Sequence, residues 1–213
     1  MLEDYSSLDL LLSRFPELTV CRADIVAAYQ LLADCYDHGG CVFTCGNGGS
    51  AADAEHIVGE LLKGFVRKRP LNERDRQIFT AAGADGAVLA ERLQYGLRAV
   101  CLMSQLAIST AVANDLGGDL GPAQQLFALG QPGDVLIALS TSGNAANVRY
   151  AMEVARQRGL HSIGLSAGAG GQLAQMAEVC IRVPAKETYL AQEYHLPIYH
   201  CLCIMLEARY FPK

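Results

Sequence analysis

Short apolar runs alternate with small-residue turns and amphipathic segments from Cys41 to the end of the chain. The runs CVFTC, VLIALS and SIGLS lead into the turns GNGGS, TSGN and AGAGG, and the runs RAVCLMS and CIRV complete the series. Segments of helical period, such as AANVRYAMEVARQRG, lie between them. This alternation is typical of a parallel sheet covered by helices on both faces. We therefore predict an α/β fold, whose ligands bind outside the carboxyl ends of the strands.

Both ends of the chain are predicted to be helical. Apolar residues recur on a helical period in LDLLLSRF and in ADIVAAYQLLADCYDH, and two glycines end the second segment. The segment from Glu187 to Tyr210 predicts one long helix, in which Pro197 is the candidate position of a kink. The pattern divides the chain into an N-terminal helical segment, 1–40, and an α/β domain, 41–213.

Residues 66–97 interrupt the alternation. The run VRKRPLNERDR is charged and turn-like, and DGAVLAERLQYGL predicts an extra helix before the second strand. We expect an inserted, solvated excursion. Its basic residues Arg67, Lys68 and Arg69 are interpreted as a solvated face, since a phosphate contact is the less common use of such a cluster on a net-acidic protein.

Composition narrows the classes of partner. The 213-residue chain is 51% hydrophobic and has a formal net charge of −5. This balance excludes a broad cationic surface, so we expect neither nucleic acid nor a membrane as a partner, and any anionic ligand must be held locally. No apolar stretch approaches the roughly 20 residues of a membrane span, and MLEDYSS lacks the features of a secretory signal. Together these features predict a cytoplasmic protein.

The eight cysteines are scattered through apolar runs without a C-x-x-C pair. This spacing fits neither a zinc ribbon nor a dithiol redox motif, so we interpret the cysteines as reduced core residues. A set of disulfides remains the alternative that an even count allows.

Two loops combine glycine or hydroxyl residues with the start of a helix. The run 45–50, CGNGGS, follows one predicted strand, and the run 140–144, STSGN, follows another. Glycines let the backbone approach a ligand closely, and a helix start offers N–H groups with partial positive charge. Either loop alone is equally compatible with a plain turn or helix cap. Because both follow parallel strands, they can converge on one anion, and the pair predicts a phosphate-binding site.

Two helices carry side chains of the metal-ligand and acid–base types. His56 and Glu60 are four apart, so they share a helical face. Gln192 and His200 are eight apart, a little over two turns. Each pair alone is more typical of a surface or interface hydrogen bond. Together they supply two imidazoles, a carboxylate and an amide oxygen, a set that suits zinc or another divalent ion.

These motifs occur in the order and approximate spacing of a known family. CGNGGSAADAEHIVGEL, ANDLG, GDVLIALSTSGNAANV and AQEYHLPIYH together resemble the SIS (sugar isomerase) domain, and within it the phosphoheptose isomerases. The resemblance extends from about Cys41 to the C-terminus, apart from the segment 66–97. It implies a doubly wound parallel sheet, a flavodoxin-like three-layer sandwich, with N-terminal helices in a central bundle. It also implies a homotetramer whose active sites lie between subunits.

The resemblance further assigns roles to individual positions. It implies that a phosphorylated sugar is bound by Asn47, Gly48, Gly49, Ser50, Asn114, Asp115, Ser140, Thr141, Ser142 and Gln192. It implies one zinc ion, or another divalent metal, in each active site, held by His56, Glu60, Gln192 and His200. Glu60 and His200 match the acid/base pair of enzymes that interconvert sedoheptulose 7-phosphate and D-glycero-D-manno-heptose 7-phosphate.

An aldose–ketose isomerisation moves a proton between C1 and C2 through an enediol. It therefore requires a base beside those carbons and an acid or Lewis acid at their oxygens. Glu60 is the candidate base. His200 is the candidate for moving the proton between the oxygens, since histidine titrates near neutrality. A metal would polarise the carbonyl, and the phosphate loops would hold the far end of the sugar and so align the reacting carbons.

Three positions depart from the pattern of the phosphoheptose isomerases. Ala145 replaces a serine of the second loop, Tyr189 replaces a polar residue, and Gly59 replaces an acidic residue before Glu60. These departures leave open an isomerase for another phosphorylated sugar, such as an amino sugar or a pentose. A non-catalytic SIS protein of the replication-initiator-associated type, which binds a sugar phosphate or a partner protein, is the other alternative. That branch lacks the carboxylate of Glu60 and the imidazole of His200, so their presence favours an enzyme.

Overall fold

A five-stranded parallel sheet lies at the centre of the computed structural model, which describes residues 5–212. The strands are β1 (Val42–Cys45), β2 (Ala99–Cys101), β3 (Val135–Leu139), β4 (His161–Ala167) and β5 (Val179–Val183). Their order is β2-β1-β3-β4-β5, and neighbouring strands are parallel throughout. Each apolar run of the sequence forms one of these strands.

Helices make up most of the remaining described chain. They are α1 (Ser6–Arg14), α2 (Arg22–Asp37), α3 (Gly49–Leu62), α4 (Glu73–Thr80), α5 (Ala84–Arg92), α6 (Leu106–Asp115), α7 (Gly121–Leu129), α8 (Ala146–Arg158), α9 (Leu173–Met176) and α10 (Thr188–Tyr210). A short 3-10 helix, Pro16–Cys21, joins α1 to α2. The helix predicted at the C-terminus is confirmed, and it continues through Pro197.

The sheet separates two apolar cores. Side chains alternate along each strand, so that Val135 and Ile137 pack on one face while Leu136 and Ala138 pack on the other. Helices α1, α2, α3 and α10 cover the first face, and α7, α8 and α9 cover the second. Because the central strands are buried on both faces, the sequence shows continuous apolar runs rather than alternating polar positions.

This strand order confirms the predicted flavodoxin-like, doubly wound fold. The chain leaves β1 to form α3 on the first face, and it leaves β3 to form α8 on the second face. A crevice therefore opens between the carboxyl ends of β1 and β3. In sheets of this kind the crevice at the switch point is where ligands bind.

The segment 66–97 contains more structure than the sequence pattern predicted. Helix α5 confirms the predicted extra helix, but residues 73–76, which were assigned to a turn, lie in helix α4. The reason is local, because the side chain of Asn72 accepts a hydrogen bond from the backbone N–H of Asp75 at 2.9 Å and so caps α4.

The prediction of a solvated basic face was wrong for Arg69. Lys68 is exposed, but Arg69 is only 2% exposed. Its guanidinium donates a hydrogen bond to the carboxylate of Glu207 at 2.9 Å. A partner 138 positions away in the sequence therefore determines the environment of this residue.

Of the N-terminal helices, α2 packs on the sheet and α1 packs on α10. Leu8, Leu18 and Ile25 are fully buried in the first core, beside side chains of α10 such as Tyr199. The division of the chain at residue 40 stays a prediction, and residues 1–4 of the first segment lie outside the described residues.

The cysteines behave as the sequence pattern predicted. All eight are free, and all except the half-buried Cys180 are buried. Burial raises the pKa of thiols such as Cys45, to about 12, because it disfavours the thiolate. The buried thiols whose pKa is raised in this way are core residues rather than reactive ones.

None of the helices formed by residues 5–212 is long and apolar enough to cross a membrane.

Candidate active site

A cavity of about 170 Å³ lies at the crevice between β1 and β3. Both loops singled out in the sequence line it. The lining residues are Asn47, Ser50, Leu139, Ser140, Thr141, Ser142, Ala145, Thr188 and Gln192. Side-chain hydroxyls and amides thus face a common space, which we call the phosphate pocket.

Three helices begin at the phosphate pocket. Ser50 lies in the first turn of α3, Ala145 is the N-terminal cap of α8, and Thr188 is the first residue of α10. No side chain caps any of these starts by a hydrogen bond in the described structure. Each start contributes partial positive charge and N–H donors. The pocket, which no lysine or arginine lines, therefore suits an anion through backbone dipoles and hydroxyls.

Glycines allow the close approaches that form the pocket. Gly48 has φ +55°, a left-handed conformation that favours glycine, and it turns the chain into α3. A Cβ atom placed on Gly49 would lie 2.7 Å from the side-chain amide of Gln192. The absence of a side chain at residue 49 therefore lets the amide of Gln192 lie against the start of α3.

The first loop is also fastened to α8. Asn47 and Asn147 exchange two side-chain hydrogen bonds, each of 2.8 Å. Asn147 additionally accepts a bond from the N–H of Val148 at 3.0 Å. Asn47 is thereby held across the crevice from the β1 side to the β3 side, which fixes the width of the pocket.

A second cluster of polar side chains lies farther along α3 and α10. Nε2 of His56 is 3.1 Å from Oε1 of Glu60, as the four-residue spacing predicted. The rings of His56 and His200 meet edge to face, with their centroids 4.9 Å apart. The ring of Phe65 also packs against His200, with the centroids 5.1 Å apart. We call His56, Glu60 and His200 the acid–base cluster.

Tyr199 and Asp53 form a chain of contacts that ends at His56 of the acid–base cluster. The Tyr199 hydroxyl donates a 3.1 Å hydrogen bond to Oδ1 of Asp53 and lies 3.0 Å from Nδ1 of His56. Burial raises the pKa of Tyr199, and the nearby Asp53 carboxylate raises it further, so the phenol stays protonated. His56 therefore has a fixed neighbour on the side of its ring away from Glu60.

Burial lowers the pKa of His200, and the neighbouring His56 lowers it further, against an opposing effect of Glu60. The imidazole is therefore neutral near pH 7. Among residues 5–212, nothing forms a hydrogen bond with Nε2 of His200 or with Oε2 of Glu60, although both atoms are buried. Lys63 lies 3.5 Å from that carboxylate oxygen as an ion pair. Nε2 of His200 is therefore the atom of the cluster that a bound ligand would satisfy.

The residue types of the acid–base cluster, two imidazoles and a carboxylate, suit a divalent ion, and Nε2 of His200 has no hydrogen-bond partner among residues 5–212. The described part of the chain nevertheless holds no group of three histidine, cysteine, aspartate or glutamate residues arranged to bind a metal ion. His56 instead faces Glu60 directly. A metal site is therefore not shown, and zinc stays a prediction.

The phosphate pocket and the acid–base cluster are joined by the same two helices. Glu60 lies ten residues after Ser50 on α3, about 15 Å along the helix axis. His200 lies eight residues after Gln192 on α10, about 12 Å along its axis. The phosphate pocket and the acid–base cluster are therefore separated by about 12 to 15 Å along the helix axes.

Other residues singled out in the sequence lie elsewhere. Asn114 and Asp115 are at the exposed end of α6, where the Asn114 side chain donates a 2.7 Å hydrogen bond to Asp115. Neither lines the phosphate pocket. Tyr189 is 61% exposed beside the pocket residue Thr188. A further histidine of α10, His195, is fully buried, and its Nε2 lies 3.2 Å from the carbonyl oxygen of Ser166.

Four residues near these sites were not identified from the sequence. Thr188 lies one turn before Gln192, a spacing that could have indicated it. Asp53 likewise lies one turn before His56 on α3. Tyr199 looked like one of the apolar core residues of α10, and nothing local distinguished it. Arg69 was noticed only as part of a charged run.

Comparisons with known proteins agree with this geometry. The SIS domain family matches residues 10–95 and 76–167. The fold and the phosphate pocket thus define a SIS-domain protein. The phosphoheptose isomerase of Rhodospirillum rubrum is 39% identical over 193 residues, which cover 91% of this chain and 89% of that protein. The phosphoheptose isomerase of Thiobacillus denitrificans is 41% identical over 177 residues, which cover 82% of this chain and 77% of that protein.

Solved structures give the same result. The phosphoheptose isomerase of Neisseria gonorrhoeae superposes with a TM-score of 0.70 at 30% identity, and covers 94% of this chain and 98% of that chain. The corresponding enzyme of Francisella tularensis has a TM-score of 0.71, with the same identity and coverage. The chain belongs to the phosphoheptose isomerase family.

Proposed function

We propose that this protein interconverts sedoheptulose 7-phosphate and D-glycero-D-manno-heptose 7-phosphate, with Glu60 and His200 as its acid–base residues. Membership of the phosphoheptose isomerase family makes it an aldose–ketose isomerase. The observation that supports the residue assignment is the arrangement on α3 and α10, where an anion pocket at one end is followed by the acid–base cluster at the other.

The distance between the two parts supports a long substrate. About 12 to 15 Å of helix separates the phosphate pocket from Glu60 and His200. An extended heptose phosphate spans this distance more fully than a triose or pentose phosphate does. This supports a heptose over the alternative of a shorter phosphorylated sugar, and the family membership supports an enzyme over a non-catalytic binding protein.

In the proposed mechanism, Glu60 removes the proton from one of the two reacting carbons and returns it to the other. The half-buried His200 transfers a proton between the two sugar oxygens, and its lowered pKa leaves it neutral and able to accept one. The three helix starts hold the phosphate, and this remote binding energy aligns C1 and C2 with Glu60. His56 lies beside the Glu60 carboxylate, with its Nε2 3.1 Å from Oε1.

We also propose a divalent ion, zinc by the family resemblance, at the acid–base cluster. His56, Glu60 and His200 would hold it, and the resemblance adds Gln192, whose side chain lines the phosphate pocket in this structure. Polarisation of the sugar carbonyl and stabilisation of the enediolate are the chemistry that such an ion supplies. Nε2 of His200, which has no hydrogen-bond partner among residues 5–212, and the neighbouring Glu60 carboxylate are the groups that support this assignment.

We also propose an oligomeric assembly and a location in the cell. The first follows the family resemblance and the second follows the composition of the chain. A groove of about 320 Å³ between α1 and α10 reaches His200, and apolar side chains such as Leu10 and Leu196 are exposed at it. An exposed apolar groove supports a contact between subunits beside the acid–base cluster, and the number of four subunits is taken from the family resemblance. Light scattering on the purified protein tests it. A cytoplasmic location is proposed as well, and cell fractionation tests it.

The activity is tested with sedoheptulose 7-phosphate in D2O, with product formation and deuterium incorporation followed by NMR. Glu60→Gln and His200→Gln should each lower turnover by about 100- to 10,000-fold, the usual contribution of a general acid or base. Glu55→Gln is the matched control, because Glu55 lies on the same helix with its side chain exposed and bonded to Ser104. Full activity in Glu60→Gln would overturn the residue assignment, and an inactive unaltered protein would overturn the proposed substrate.

A further inference from the structure

Arg69 and Glu207 form an ion pair whose side chains are both completely buried. Nε of Arg69 lies 2.9 Å from Oε1 of Glu207, and the guanidinium also packs over the ring of Phe211 at 4.6 Å. Removing two charges from water is unfavourable unless further hydrogen bonds satisfy their remaining atoms. In this pair, those further bonds connect three separate parts of the molecule.

The remaining donors of Arg69 hold the end of α3. Nη1 donates to the carbonyl oxygen of Leu61 at 2.7 Å, and Nη2 donates to that of Glu60 at 3.0 Å. Carbonyls in the last turn of a helix lack partners within the helix and carry partial negative charge. The guanidinium therefore caps the C-terminal end of α3, and one of the carbonyls that it caps belongs to Glu60, the proposed base.

The carboxylate of Glu207 holds the chain that follows α3. It accepts hydrogen bonds from the backbone N–H groups of Phe65, Val66 and Arg67, at 2.8, 2.9 and 3.0 Å. Consecutive N–H groups that converge in this way form an anion-binding nest. The nest fixes Phe65, whose ring packs against His200.

Glu207 lies on the same helix as His200, seven residues or about two turns farther along. The ion pair thus connects three parts of the site. Arg69 bonds the backbone of Glu60, and Glu207, itself on α10, bonds the backbone of Phe65, whose ring packs against His200. We propose that Arg69 and Glu207 are positioning residues for the isomerisation, setting the Glu60 carboxylate relative to the His200 imidazole. This inference rests on the proposed function of those two residues.

A role in folding alone and a role in positioning have different consequences. A pair that only stabilises the fold affects the fraction of folded molecules and leaves their turnover unchanged. A pair that positions Glu60 affects turnover in molecules that remain folded. The planar guanidinium can bond Glu207 and both carbonyls at once, whereas the ammonium group of lysine is a compact point charge that does not reproduce this fork.

Arg69→Lys tests this difference because it retains a charge opposite Glu207 while losing the fork. The folded fraction is measured by circular dichroism, and kcat is expressed per folded molecule. We expect kcat to fall by about 10- to 100-fold, the effect of misplacing a reacting group by roughly 1 Å. We expect KM to change by less than about threefold, because the phosphate pocket is untouched.

Glu207→Gln is the second variant, in case lysine at position 69 prevents folding, and it should lower kcat in the same way. Arg209→Met is the control, since Arg209 lies on the same helix in an exposed ion pair with Asp37, and it should leave kcat unchanged. Unchanged kcat per folded molecule in either folded positioning variant would overturn the proposal. Activity of the unaltered protein on sedoheptulose 7-phosphate, measured in parallel, separates this outcome from failure of the proposed function.

Discussion

The hydroxyl of Tyr199 lies 3.0 Å from Nδ1 of His56. The same hydroxyl donates its proton to Asp53 at 3.1 Å, so its oxygen accepts the proton of Nδ1. The partner of one ring nitrogen determines the role of the other in histidine. We therefore assign Nε2 of His56, which faces Glu60, as the nitrogen available to a ligand.

Tyr199→Phe removes the hydroxyl and retains the ring. We expect zinc affinity to fall by about 10- to 100-fold, as is usual when the partner of a metal-binding histidine is removed. Competition with a chromophoric chelator measures it. Tyr150→Phe, on the exposed part of α8, is the control. Equal zinc affinities in the two variants would show that the Tyr199 hydroxyl does not orient His56.

The fold could be predicted because its main features are local. The strands are buried on both faces, so each appears as an apolar run, and the turns after β1 and β3 contain the residues that a helix start requires. The approach of His56 to Glu60 likewise follows from helical spacing. Where a short stretch of chain determines the structure, its sequence indicates the result.

The supporting residues could not be predicted because their partners are distant. Arg69 and Glu207 are 138 positions apart, and a basic residue in a charged run looks like a solvated one. Tyr199 and Asp53 are 146 positions apart, and a tyrosine on a buried helix looks like a core residue. Only the packing of α3 against α10 shows what these side chains contact.

The phosphate pocket should bind inorganic phosphate in the absence of sugar, because helix starts and hydroxyls supply its attraction for anions. A ligand that binds only the folded state stabilises it by about 2.7 kcal/mol at 100 times its Kd. Phosphate should therefore raise the thermal unfolding midpoint of the unaltered protein. Ser140→Ala should shrink this increase, and Ser13→Ala, on the exposed side of α1, should not. Identical increases in both variants would place phosphate elsewhere.

Gly49→Ala should affect substrate binding more than folding. The added Cβ would meet the amide of Gln192 at 2.7 Å, and this flexible side chain can move away. Moving Gln192 changes the lining of the phosphate pocket, so KM should rise by about tenfold or more, as loss of a polar contact does. Gly59→Ala is the control on the same helix, where the added atom meets nothing within 4 Å. Steady-state kinetics that show equal KM values would contradict this role.

The buried His195 should make the protein less stable in mild acid. Burial lowers the pKa of its imidazole below the unfolded value of about 6.5, against a weaker effect of its contact with the Ser166 carbonyl. Below that pH the His195 imidazole is protonated in the unfolded chain but stays neutral in the folded protein. The free energy of unfolding should therefore fall as the pH falls, by up to about 1.4 kcal/mol per pH unit from this residue. Urea denaturation between pH 5 and pH 8 measures the slope, which His195→Gln should reduce. His38→Gln is a control of opposite sign, because hydrogen bonding to Asp34 raises the pKa of the exposed His38. A slope unchanged by His195→Gln would mean that His195 is not the group that resists protonation.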